Sequence, residues 1–185
     1  DTVLSNGIRL IVLTDRTTPT VTLMGSIRHQ ADLQTPHGQD GVGSVLGDLF
    51  SYGTTSLDRI AFQKALDDIG ANESAGTRFS LEVLTQYFDR GLSLLADNVL
   101  HPALPAPAFQ IVQQQTSQSV GDLLKSPQYL AGRAEQKGLL PSGDPSLREA
   151  TPQTVNSVTL NDVKSYYAKT FRPDLTTIVI IGDIT

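Results

Sequence analysis

Within "GVGSVLGDLFSYGT", residues 41–54, several residues have types that could do chemistry. Gly41, Gly43 and Gly47 approximate the glycine spacing of a phosphate-cradling loop. Such a loop needs a strand directly before it and an acid at the end of the next strand. Here the polar stretch "TPHGQDG" leads in and no such acid follows, so the glycines read as small residues where another element packs closely. Ser44 could act as a nucleophile only on a sharp elbow flanked by glycines two residues away, and Val42 and Leu46 stand there. His29, His37 and His101 are the only histidines. None sits three or four residues from another His, or from a carboxylate on a convincing face, so spacing alone assigns no zinc ligand. Asp48, Asp67 and Asp68 read as solvated carboxylates. The chain has no Cys, which excludes disulfides, thiolate metal sites and a Cys nucleophile.

The elements that must position these residues are legible in outline. Val42, Val45, Leu46, Leu49 and Phe50 recur at the spacing of one buried helix face. Ser44, Gly47 and Asp48 fall on the opposite face of that helix, which stops near Gly53. Upstream, "VLSNGIRLIVLTD" predicts a strand entered through an Asn6-Gly7 turn, with both faces covered. "TVTLMGSIRHQADL" predicts a second strand, and residues 35–41 a loop. Ser56 is placed to cap a helix over about 57–69, closed by Gly70. "ANESAGTRFSLEVLTQYF" predicts a hairpin or two short strands. A helix carrying Phe88, Leu92, Leu95 and Val99 ends at His101-Pro102. A long helix begins at Pro105 or Pro107 and breaks at Ser126-Pro127; another runs to about Leu140. "PSGDPSLREATPQ" reads as loop. Thr159 and Asp162 begin a helix to about Thr170, and "LTTIVIIGD" is a central strand. Strands followed by collected helices predict an α+β fold with a mostly antiparallel sheet.

Composition bounds the function classes. Of 185 residues, 39% are hydrophobic and 18% charged, which is ordinary globular usage. Net charge is −5 and no Lys/Arg cluster is present, so a nucleic-acid partner is disfavoured. The longest apolar run, "TIVIIG", is far too short to cross a membrane.

The order of the pieces carries more than any single motif. The chain resembles the pitrilysin/insulinase-type (inverzincin) zinc peptidases, which include the mitochondrial processing peptidases. The resemblance rests on "LSNGIRLIVLTD", "GVGSVLGDLFSYGT", "LDDIGANESAGTRFS", "LLADNVLHPALPAPAFQ", the Pro127 break and "VTLNDVKSYYAKTFRPDLTTIVIIGDIT", in family order. Active members carry His-x-x-Glu-His on the helix matched by residues 42–50. The two His bind zinc and the Glu is the base for the metal-bound water. The matching positions here are Ser44, Gly47 and Asp48. The family's third ligand is a Glu on the later long helix, and "VQQQTSQSVGDLLK" offers no acid before Asp122.

The resemblance therefore implies a non-catalytic lobe spanning 1–185, excised from a longer multi-lobe chain and lacking a final helix. It implies no catalytic residue and no metal in this lobe, with zinc and proteolysis in a homologous sister lobe of the same chain or a paired subunit. Chamber enclosure and peptide substrate binding would be its tasks, with Glu73, Ser74 and Ala75 on a strand edge able to pair with peptide backbone. The resemblance points to a bacterial periplasm or cell envelope. The alternative is a structural or assembly protein of the same fold with no peptidase role.

Overall fold

In a computed structural model of the chain, residues 1–184 are described, Asp32 by its backbone alone. They comprise two compact units. The first contains residues 1–29, 49–105 and the stretch from 168 on; the second contains residues 30–48 and 106–167.

The first unit holds a six-stranded sheet built from β1 (Thr2–Val3), β2 (Arg9–Thr14), β3 (Thr20–Ile27), β4 (Asn72–Ser74), β5 (Arg78–Leu84) and β6 (Thr176–Gly182), in the order β1-β2-β6-β3-β5-β4. The β2–β6 pair is parallel and the others are antiparallel. The class is therefore α+β with a mostly antiparallel sheet. Alternation sets one buried face: Phe79, Leu81 and Val83 are buried on β5 while Arg78, Glu82 and Leu84 are exposed. Leu23 lies opposite both Leu81 and Ile180, and with Val21, Ile27, Phe79, Val83 and Leu95 these form the main core. Leu95 comes from α4 (Phe88–Leu100), which packs on β5. Phe62 and Leu66 of α3 (Arg59–Asp67) meet Leu94 of α4 in a smaller cluster. Each such side chain, fully buried, contributes about 1.5–3 kcal/mol.

The second unit is helical: α1 (Ala31–Gln34), α2 (Val42–Leu49, as far as Asp48), α5 (Ala106–Leu123), α6 (Pro127–Leu139), α7 (Pro152–Ser157) and most of α8 (Leu160–Thr170). Val42, Val45 and Leu46 are buried, as are Phe109, Val112, Val155, Val158, Val163 and Tyr166. Gln113 of α5 directs Nε2 at the carbonyls of Val155, Asn156 and Val158. These carbonyls lie at the C-terminal end of α7 and just beyond it, where helix acceptors lack intrahelical donors.

Most predicted elements are present, and the differences have local causes. The second strand ends at Ile27 rather than Leu33, because its partner there, Thr176, is the first residue of β6. β2 is not covered on both faces: among the described residues Val12 is 43% exposed and Leu13 58%. Asp58, not Ser56, caps α3 by accepting from the Ala61 N–H. Part of the predicted loop "PSGDPSLREATPQ" leads into α7, where Thr151 and Thr154 form a reciprocal cap. Gly53 has φ +88, and a Cβ there would lie 2.6 Å from the Leu57 carbonyl oxygen, so the turn after α2 requires glycine.

Gly25 meets a different constraint. It sits opposite Phe79 in the β3–β5 ladder, and a Cβ on it would fall 2.0 Å from the Phe79 ring. Gly25→Ala is expected to destabilise the protein by about 1–3 kcal/mol through overpacking. Phe79→Leu in the same chain should recover part of that loss. Denaturant midpoints of the two variants and the wild type provide the check; an unchanged midpoint for Gly25→Ala would remove the close approach from the account.

Candidate functional site

The two candidate places lie in different units and are taken separately. The first is the outward face of α2. Its amphipathic pattern buries Val42, Val45, Leu46 and Leu49 and leaves Ser44, Gly47 and Asp48 exposed. A Cβ on Gly47 would have no neighbour within 4 Å, so the face is open at that point. Asp48 accepts a hydrogen bond from Thr116 Oγ1 of α5 at 3.4 Å, and Thr116 is buried. Asp122, the first acid of the stretch read for a third ligand, is exposed and pairs with Lys125 at 3.3 Å.

The zinc that the resemblance implies for the family does not fit this face. A catalytic zinc takes three protein ligands of His, Asp, Glu or Cys type. α2 supplies one hydroxyl, one position without a side chain and one carboxylate. The neighbouring helix answers with a threonine hydroxyl. Among the described residues, no group of three or more His, Asp or Glu side chains is placed to hold a metal ion.

The second place is β4. It is a terminal strand of the sheet, paired through Asn72, Glu73 and Ser74 to Glu82, Leu81 and Ser80 of β5. Ala75 follows the strand. Asn72 and Ser74 are exposed, and the Ser74 hydroxyl meets that of Ser80 at 2.9 Å. Glu73 shares a sheet face with Leu81 and is half-buried. Its carboxylate accepts from Asn98 Nδ2 of α4 at 3.1 Å and 3.4 Å. Burial pushes the Glu73 carboxyl up to about 7, against a smaller lowering by the Asn98 hydrogen bond.

A third cluster corrects the reading of the histidines. His101 is four residues after Asp97, and its Nδ1 lies 3.3 Å from Asp97 Oδ1. Ser56 donates its hydroxyl to the other oxygen of Asp97, and Thr54 meets Ser56 at 3.1 Å. Hydrogen bonds from Ser56 and then Thr54 hold the Asp97 carboxyl below the usual range. The carboxylate stands between serine and histidine, so His101 cannot take the Ser56 proton as a general base would. This cluster ties the turn before α3 to the end of α4. Only the three-dimensional approach of residues 54–56 to α4 makes it visible.

No protein-family model and no curated protein matches the sequence. Solved structures match its fold. All of the chain aligns, at TM-score 0.87 and 19% identity, with 46% of a peptidase M16 inactive domain from Pseudomonas fluorescens. A conserved protein from Enterococcus faecalis aligns over 47% of its length with 97% of this chain, at TM-score 0.80 and 16% identity. The periplasmic protease PqqL from Escherichia coli aligns over 22% of its length with all of this chain, at TM-score 0.75 and 16% identity. The chain has the fold of an M16 peptidase domain, the pitrilysin type read from its sequence. It spans less than half the length of each of these proteins.

The wild-type protein is expected to bind no stoichiometric zinc, as read by metal analysis after exposure and desalting. Ser44→His with Asp48→His should bind zinc weakly, because two imidazoles leave the site short of a ligand. Adding Thr116→Glu should tighten binding by at least about tenfold, since α5 presents that position to residue 48. Equal affinity with and without Thr116→Glu would show that α5 does not complete the face.

Proposed function

We propose that residues 1–185 form one non-catalytic lobe of an M16-type zinc peptidase. The observation that carries this reading is the division of α2 into a retained apolar face and an outward face that lacks the family's ligands. The buried positions follow what the fold needs, while Ser44, Gly47 and Asp48 offer neither metal nor base. Zinc and proteolysis would belong to a sister lobe, in the same chain or in a paired subunit.

In this reading the lobe helps to enclose the substrate chamber and contacts extended peptide. Edge strand β4 is the candidate contact: unpaired backbone N–H and C=O groups add a peptide strand without reading its sequence. The outward face of α2, with small residues at Gly43, Ser44 and Gly47, would leave room for substrate. The net charge of −5 adds only a weak preference for basic or neutral peptides. A periplasmic or envelope location suits the same reading, since one of the similar proteins is a periplasmic protease.

The test is reconstitution with the catalytic remainder of the parent protein. Alone, the domain should cleave no peptide. Mixed with that remainder, it should form a complex and raise kcat/KM for extended peptides. Full activity and specificity of the remainder by itself would overturn the chamber role.

A further inference from the structure

Glu73 and Asn98 make a contact that neither sheet pairing nor metal chemistry requires. Asn98 is buried within α4, yet its Oδ1 has no hydrogen-bond partner. An Asn amide has an acceptor oxygen and two N–H donors, whereas an ionised carboxylate only accepts. Facing a charged Glu73, Asn98 can therefore offer only Nδ2, and its oxygen is left orphaned in the interior. A protonated carboxyl has one O–H to donate and one oxygen that accepts. It can pair with the amide through two hydrogen bonds, O–H to Oδ1 and Nδ2–H to the carbonyl, which satisfies every group. We propose that Glu73 and Asn98 form a proton-operated latch that fastens edge strand β4 to helix α4 when Glu73 is neutral and lets the strand lift when Glu73 is ionised.

The surroundings favour such a latch. β4 has only three residues and one sheet neighbour, so it can open without global unfolding. Its inward group is the one acid of the strand, on the face shared with Leu81. The charged residues of the elements around it are accounted for elsewhere. On β5, Glu82 faces Asn72 and Arg78 lies beyond the β4 pairing. On α4, Asp97 is held by Ser56 and His101, and Asp89 and Arg90 lie in the first turn, far along the helix from Asn98. On α3, Lys64 pairs with Asp68, Asp67 accepts from Gln63, and Arg59 stacks on Tyr52. Burial and Asn98 alone set the Glu73 carboxyl, and they set it near 7 rather than at 4.5. The sign follows: the folded state holds this proton more tightly than the unfolded chain. The resulting stabilisation is full below 4.5 and is lost as pH rises through about 7.

The inference is independent of any peptidase role and is tested on the 185-residue chain. Amide hydrogen exchange, corrected for intrinsic rates, is measured at about pH 6 and about pH 8. Protection of β4 and its facing β5 amides should fall by about tenfold at the higher pH, while that of α2 holds. Glu73→Gln, neutral at both pH values and able to donate to Oδ1, should keep β4 protected at both. Carboxyl carbon NMR of the wild type should place the Glu73 midpoint near 7. A midpoint near 4.5, equal β4 protection at both pH values, or the same pH-dependent loss in Glu73→Gln would each overturn the latch.

Discussion

The sheet depends on β6. This strand, Thr176–Gly182, enters between β2 and β3 and pairs with both, in parallel on one side and antiparallel on the other. Without it the sheet separates into the β1–β2 hairpin and a three-stranded β3-β5-β4 piece. A two-stranded hairpin alone is marginal in water. Ile180, opposite Leu23 and Val12, carries the buried face across the join. At the strand's end, Gly182 has φ +143, and a Cβ there would lie 2.2 Å from the Thr20 carbonyl oxygen. That oxygen accepts from the Asp183 N–H, so the glycine lets the chain cross the start of β3 while still bonding to it. Pairings between residues 9–27 and 176–182 close a very long loop. The entropy of that closure grows slowly with length, but it must be met before any of these contacts stabilises the fold.

The α2 helix carries packing on one face and small or polar residues on the other. Packing requires apolar groups at Val42, Val45, Leu46 and Leu49, and all four are buried. Catalysis would require ligands on the other face, and nothing in the packing of the helix enforces them. Substitutions at Ser44 and Gly47 therefore cost the fold little: both are exposed, and Gly47 has open space around it. On α5, Thr116 meets Asp48 across the gap.

Local pattern and long-range approach were unequally legible in the sequence. The α2 face, the Gly70 close of α3, the Thr159–Asp162 cap and the central place of "TIVIIGD" were readable because each rests on residues near one another or on strong periodicity. α7 was not, because Pro, Gly, Ser and Asp around it carry loop composition, and its cap needs Thr151 and Thr154 together. Ser56 departs from its local pattern for a related reason. A serine before a helix is a good N-cap, but here Asp97, distant in sequence, takes its hydroxyl and Asp58 caps the helix instead. The Gln113 contacts with the α7 carbonyls, the Thr116–Asp48 contact and the Ser56–Asp97 contact depend on how elements meet, and single-sequence periodicity holds no record of that.

The same distinction bears on the sheet's edge. An exposed strand edge invites pairing with any other extended chain, and proteins blunt such edges with short strands or inward-pointing charge. β4 has both: three residues, and Glu73 directed at the face where its neighbours Leu81 and Phe79 are apolar. An apolar residue at this position would fit the core pattern better and would hold the strand down permanently. Glu73 makes the attachment conditional, because its inward placement is comfortable only when the carboxyl is neutral or well paired, and the buried amide of Asn98 is what it finds there.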